Sequence, residues 1–179
     1  MNRIIVVGTT GSGKTTLATA LARKMLCPFI ELDALFWNPG WVQTPRDEFR
    51  RRVAEAIAPE RWAAGGNYSS ARDLIWQRAD TLVWLDYPLP LILARLFKRT
   101  VRRIITKEML WAGNRESFRN TFLNRNSLFL WALKSNPAQR RTFPVELQKP
   151  EYAHLRAFHF RQPRETQVWL DHFLPCKAP

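Results

Sequence analysis

One short segment, Gly8-Thr9-Thr10-Gly11-Ser12-Gly13-Lys14-Thr15, restricts what this chain can fold into more than any other feature. It fits G-x-x-x-x-G-K-[ST] at every fixed position. It also stands between an apolar run, Ile4-Ile5-Val6-Val7, and a stretch with Leu17, Leu21 and Leu26 at near-helical spacing. A strand, a glycine-rich loop and a helix in that order form an anion site. The glycines let successive backbone N–H groups turn inward, and the helix that follows adds the positive end of its dipole. Lys14 then reaches the β and γ phosphates, and Thr15 offers its hydroxyl to Mg²⁺. Thr16 and Ser12 are further phosphate donors. The expected ligand is a nucleoside triphosphate, Mg·ATP above others.

The chain has 179 residues, 46% of them hydrophobic, enough for one ordinary domain with one core. After Met1-Asn2-Arg3 only four apolar residues precede Gly8, too few for a secretory signal or a membrane span, so a cytoplasmic location without membrane association is expected. Cys27 and Cys176 are far apart and belong to no CxxC pair or His/Cys cluster, which gives no support to a disulfide framework or a structural zinc site and leaves two buried or idle thiols. The formal charge of +13 calls for an anionic partner, nonspecific nucleic-acid binding included, or a tolerance for self-repulsion. Its excess lies mid-chain: nine Lys or Arg fall between residues 95 and 125 against two acids, Glu108 and Glu116.

The remaining segments read as an α/β domain without repeats. The spacing predicts a helix over 14–25 closed by Pro28, and a second strand over 29–32 ending at Asp33. A helix over about 45–58 follows, with Thr44 as cap and Pro45 in the first turn. Arg61 to Ala64 is a weak strand and Thr81 to Leu85 a strong one. Pro88 or Pro90 opens a long helix to about Ile105, and a second helical region runs near 116–134. Residues 136–153 hold three prolines without a period and are expected to be irregular. Leu155 to Phe160 alternates like a last strand, and a helix runs from Pro163 to Pro175.

With these residues in view, the chain resembles the P-loop kinase group of adenylate, shikimate and gluconate kinases, and more closely the family of DNA topology modulation proteins described as FlaR-related or adenylate kinase-like. The resemblance rests on the loop, on Leu32-Asp33-Ala34-Leu35-Phe36-Trp37 with Pro39-Gly40-Trp41, and on Gly66-Asn67-Tyr68. Ala79-Asp80 before Trp84-Leu85-Asp86, and Arg95 with Lys98-Arg99, complete it, over about the first two thirds of the chain. It implies a three-layer fold with a parallel five-stranded sheet in the order 2-3-1-4-5, helices on both faces, and a mobile helical lid at about 104–120. Similar proteins carry Asp-Gly-Asn-Tyr after the third strand, and here Gly65 replaces the acid that would help hold Mg²⁺. Either Asp33 takes over that metal role, as in the shikimate kinase type of site, or metal binding and turnover are impaired.

Asp33, at the carboxyl end of a strand beside the loop, occupies the place of a general base or acceptor-hydroxyl ligand in an open α/β sheet, although an N-cap role would also suit it. Gly66, Asn67 and Tyr68 are expected at the acceptor site, though Gly65-Gly66-Asn67 would also make a tight turn. Trp37, Trp41 and Tyr68 can wall an acceptor pocket or simply pack. Asp86, ahead of Tyr87-Pro88, reads as a helix cap. Arg95, Arg99 and Arg102 or Arg103 share one helix face, a repulsive arrangement that suits a polyphosphate and otherwise makes a solvated basic face. By resemblance, Arg95 and Arg99 join Lys14 and Asp33 as catalytic groups, Lys107 and Arg115 are charge clamps in the lid, and Arg161 lies where related kinases cradle adenine.

These residues point to an ATP-binding phosphotransferase that passes the γ-phosphoryl of Mg·ATP to a small-molecule acceptor, with a nucleoside monophosphate as the first expectation. Two other readings stand beside it: a nucleic-acid-associated ATP-binding protein, although no DNA-binding motif is present, and a nucleotide-binding protein whose catalysis is weakened by Gly65.

Overall fold

The computed structural model describes residues 1–115 and 127–173. Its centre is a parallel sheet of β1 (Arg3–Gly8), β2 (Phe29–Glu31), β5 (Trp62–Gly65), β6 (Thr81–Leu85) and β7 (Arg156–Phe160), in the order β2-β5-β1-β6-β7. Counted among these five strands, that is the expected order 2-3-1-4-5. Two short strands, β3 (Trp37–Asn38) and β4 (Val42–Gln43), form a separate antiparallel hairpin. β1 reads as an unbroken apolar run because helices cover both faces of the sheet. Ile5 and Val7 pack with Leu82, Trp84, Phe49 and Trp76 on one face. Ile4 and Val6 pack with Val83, Leu85, Leu17 and Leu21 on the other.

The helices are α1 (Lys14–Met25), α2 (Leu32–Phe36), α3 (Arg46–Ala56), α4 (Arg72–Arg78), α5 (Leu89–Thr106), α6 (Leu128–Leu147) and α7 (Pro163–Asp171). α1 ends as Leu26 takes a left-handed conformation and its N–H bonds back to Arg23, two residues before the proline expected to stop it. The second strand is shorter than its apolar pattern, since Leu32 already begins α2. Thr44 does not cap α3: its hydroxyl donates to the Phe36 carbonyl at 2.8 Å, and Pro45 occupies the cap position. That bond ties the far end of the β3–β4 hairpin to α2.

The largest correction concerns residues 136–153. They are mainly helix, with α6 running to Leu147 through Pro137 and Pro144, and Pro150 opening a 3-10 turn. The buried positions of α6 are Ala132, Asn136, Gln139 and Phe143. Their spacing is helical, but two of the four are polar, so no apolar stripe marks the helix. Ala132 packs into the cluster on the α1 face and Phe143 into the opposite one. α6 therefore passes from one face of the sheet to the other, and midway it meets the phosphate loop through Asn136 Nδ2, 3.3 Å from Thr9 Oγ1. The part of the expected helical region at 116–126 lies outside the described residues, as does Cys176.

Candidate active site

β1 delivers the chain into the loop at Gly8, which has a φ of +146°; a Cβ there would stand 2.6 Å from the Leu85 carbonyl oxygen. Only glycine lets β1 and β6 converge so closely. The loop then turns tightly, with Ser12 N bonded to Thr9 O at 3.1 Å, and enters α1 at Gly13, which carries no side-chain cap. The first-turn amides of α1 thus face the loop. Ser12 is fully buried, and its Oγ has no hydrogen-bond partner among the described residues. A buried hydroxyl costs free energy unless it is bonded, so this atom fits a phosphate oxygen better than an empty loop. Lys14 Nζ donates to the Thr9 carbonyl at 3.1 Å, closing the loop on itself. Burial lowers the Lys14 pKa to about 8; the Asp33 carboxylate opposes this, Arg99 adds to it, and Glu31 opposes it again.

Two of the expected arginines converge here. Arg95 Nη1 lies 3.4 Å from the Ser12 carbonyl, with its guanidinium over the Tyr87 ring at 5.3 Å. The charge of Arg99 is felt by Lys14. Further along the stripe, Arg102 and Arg103 both pair with Glu108, at 3.1 and 3.3 Å. Thr16 is exposed on the first turn of α1.

Thr15 and Asp33 stand differently from the sequence reading. Because β2 stops at Glu31, Asp33 lies in the first turn of α2, where its Oδ1 accepts the Tyr68 hydroxyl. Burial first, and then the Asp33 carboxylate, push the Tyr68 phenol well above its ordinary value, so it remains a donor. The acid beside Thr15 is Glu31: Thr15 Oγ1 donates to Glu31 Oε1 at 3.0 Å. Glu31 is the register partner of Gly65 in the β2–β5 ladder, so both point to the α1 side of the sheet. The carboxyl missing at 65 thus has a neighbour one strand away. Thr15 and Glu31 supply hard oxygen donors suited to Mg²⁺, which keeps several waters and takes its other ligands from phosphates.

Gly66 brings the Asn67-Tyr68 segment against α2, since a Cβ at that position would meet Leu32 Cβ at 2.6 Å. Trp37 opens β3 and Trp41 lies in the turn before β4, with ring centroids 5.5 Å apart. The first part of the expected lid packs onto this hairpin. Trp111 lies 6.3 Å from Trp41, and Asn114 takes the Trp41 N–H at 3.0 Å while donating to the Asn38 carbonyl at 2.9 Å. Trp111 Nε1 donates to Glu31 Oε2 at 2.7 Å. Lys107 caps α5 in a left-handed conformation, and Arg115 contributes its carbonyl to Trp41 Nε1.

Asp86 is not a helix cap, because Pro88 precedes α5 in that position. Its buried carboxylate accepts Arg140 Nε at 2.6 Å and lies 3.0 Å from His159 Nε2, tying α6 and β7 to the end of β6. Arg161 is exposed after β7, and its N–H bonds to Glu165 in the capping box that opens α7. Glu31, Trp111, Asn114 and Asn136 are the site residues that sequence reasoning missed. The two acids of Glu31-Leu32-Asp33 were the one signal available for the first.

The family described as ATPase family associated with various cellular activities (AAA) matches residues 4–61, the stretch from β1 to the start of β5. No curated protein matches the chain. Among solved structures, the chain is similar to a gluconokinase from Sinorhizobium meliloti 1021, at 21% identity and a TM-score of 0.53, over 95% of this chain and 91% of that one. It is also similar to shikimate kinase from Acinetobacter baumannii in complex with shikimate, at 17% identity and 0.55, over 96% and 92%. A sugar kinase from Janibacter sp. HTCC2649 gives 22% identity and 0.51, over 96% and 95%. At such identities the likeness is one of fold, the P-loop NTPase fold in the form these kinases share.

Proposed function

We propose that this protein is an ATP-dependent phosphotransferase acting on a small hydroxyl-bearing acceptor. The observation that carries the reading is the convergence, at the carboxyl ends of β1 and β2, of a phosphate loop, Arg95 and a tyrosine-held carboxylate, Asp33. A carboxylate held beside the loop is suited to position an acceptor hydroxyl there. The solved kinases of like fold support the same class of chemistry.

In this reading the loop amides, Ser12 and Lys14 hold the triphosphate, and Arg95 and Arg99 neutralise charge on the transferring phosphoryl group. Thr15 and Glu31 would hold magnesium, which would supply charge screening for the phosphates. Asp33 orients the acceptor hydroxyl, and Tyr68 fixes the carboxylate by occupying one of its oxygens. The acceptor oxygen attacks the γ phosphorus, the bond to the bridging oxygen breaks to leave ADP, and the hydroxyl proton passes to Asp33 and then to water. Trp111 and Asn114 hold the 107–115 segment over the acceptor side and limit water there. The test is ADP production from Mg·ATP with and without added alcohols, with Lys14→Ala as the inactive control. A rate that no acceptor raises above basal hydrolysis would overturn the reading.

The nucleic-acid reading has less to support it, since the sequence holds no DNA-binding motif and the charge of Arg102 and Arg103 is partly offset by Glu108, which they share. Among the described residues, no helix is long and apolar enough to cross a membrane.

A further inference from the structure

Both carboxylate oxygens of Glu31 are held by neutral donors from distant parts of the chain. Oε1 accepts the Thr15 hydroxyl at 3.0 Å, and Oε2 accepts the Trp111 indole N–H at 2.7 Å. Trp111 reaches this point on a tight turn. α5 ends at Lys107; beyond it the Glu108 N–H bonds to the Arg103 carbonyl at 3.1 Å, while the Glu108 carboxylate pairs with Arg102 and Arg103. Met109 and Arg115 then pair in antiparallel fashion, and the Leu110 N–H meets the Asn114 carbonyl at 2.8 Å. Ala112 and Gly113, with φ of +54° and +75°, reverse the chain between them. Asn114 is buried and fastens the turn to the β3–β4 hairpin through its bonds to Trp41 and Asn38, and the Trp111 ring stands edge-on to that of Trp41. The indole is therefore set in place by contacts other than the one it makes to Glu31.

Glu31 ends a short strand at the edge of the sheet. Its side chain has several torsions, and the last of them, which sets the carboxylate plane, has a broad minimum. Bonds to both oxygens fix that plane. The kind of donor matters as well. An indole N–H donates, accepts nothing and carries no charge, so Trp111 orients the carboxylate and leaves its negative charge available to a cation beside Thr15. An arginine in its place would pair with the carboxylate and offset that charge. Lys14 lies in the same field: burial lowers its pKa, and Asp33 and then Glu31 oppose the shift. A disturbance at Glu31 can thus reach the phosphate loop with or without a metal, and the two routes need separate readouts.

We infer that Trp111 is a positioning residue for the magnesium site: by holding Oε2 of Glu31 it aims Oε1 at the space beside Thr15, and it thereby links metal binding to the docking of the 109–115 turn. This rests on the reading of Thr15 and Glu31 as the metal's protein donors. A partner that orients a liganding carboxylate contributes to metal affinity although it never touches the ion. The linkage is reciprocal, so whatever the metal gains from the docked turn, the turn gains from the metal.

Trp111→Phe in the full chain tests it, since the variant keeps an aromatic ring against Trp41 and removes the N–H. Mn²⁺ serves as the probe ion and is followed by electron paramagnetic resonance. The expected result is that Mn²⁺ affinity of the ATP-loaded protein falls by about tenfold, while ATP affinity in EDTA stays at the wild-type value. In a Glu31→Gln background the same substitution should leave Mn²⁺ affinity unchanged. Adding metal to the ATP-loaded protein should slow hydrogen exchange at the Leu110 and Asn114 amides in the wild type and not in Trp111→Phe. A merely structural role would instead lower the urea midpoint and both affinities together. Wild-type Mn²⁺ affinity in Trp111→Phe, an equal loss in both backgrounds, or exchange that metal slows alike in both proteins would overturn the inference. Failure of the underlying metal reading looks different: Glu31→Gln alone would bind Mn²⁺ as the wild type does.

Discussion

Glu31 and Gly65 lie opposite each other in the parallel ladder of β2 and β5, and the Glu31 carboxylate reaches across to the Thr15 hydroxyl at 3.0 Å. Glu31 is therefore the acid beside Thr15, on the strand next to position 65. Glu31→Gln keeps shape and removes charge, so Mn²⁺ binding to the ATP-loaded protein, read by electron paramagnetic resonance, should weaken by about tenfold or more. Adding Gly65→Asp should restore much of it, because a Cβ at 65 meets Ala18 Cβ at 3.5 Å and the Lys14 backbone at 3.6 Å, which are ordinary contacts. Unchanged Mn²⁺ affinity in Glu31→Gln would refute this assignment.

The lowered Lys14 pKa, about 8, makes nucleotide binding pH-dependent. Phosphates favour the charged ammonium, so binding should take up a proton near and above that pH, and affinity should fall by up to about tenfold per pH unit beyond it. Calorimetry in buffers of different ionisation enthalpy reads the proton directly. Stability of the free protein should move oppositely. Between about 8 and 10.5 the unfolded chain binds more protons at this lysine than the folded one, so stability rises with pH over that window. Lys14→Met should abolish that rise in urea midpoints.

Gly66→Ala would place a methyl carbon 2.6 Å from Leu32 Cβ at a φ of +153°. Overpacking and backbone strain together should cost about 2–4 kcal/mol, measured by urea denaturation. Any folded fraction should bind the acceptor poorly, because Asp33 and Tyr68 sit on the two segments forced apart.

α6 carries two separable roles. Phe143→Ala removes a fully buried ring and should cost about 3–5 kcal/mol of stability, an outcome impossible for an irregular surface segment. Asn136→Ala removes the bond to Thr9 and should cost about 1 kcal/mol, appearing as roughly fivefold weaker ATP binding with little change in unfolding midpoint. A large stability loss without an affinity change would show that Asn136 only packs.

Local chemistry made the phosphate loop and its flanking strand and helix legible, whereas the sheet order followed from the family resemblance. Gly8 to Thr15 is contiguous, and the conformations it needs are written in its glycines. Asp33 and Tyr68 were legible as separate site residues; their mutual bond was not, since it joins segments 35 positions apart. Glu31 escaped notice because an acid in a three-residue strand resembles ordinary polar alternation, and its role depends on a register partner. Trp111 and Asn114 belong to a segment without periodicity, placed by contacts to Glu31 and Trp41. α6 was hidden by its composition: Asn136 and Gln139 are buried, and Pro137 and Pro144 look like breaks. Whole-fold context, not local propensity, keeps that helix going.

Binding of Mg·ATP by the loop at Gly8 to Thr15, through its amides and Lys14, is open to direct measurement. Isothermal titration of the purified protein with ATP and magnesium should show saturable one-to-one binding that Lys14→Ala abolishes while leaving the fold intact by circular dichroism. Absence of any binding heat and of any competition by ADP in the folded wild-type protein would contradict it.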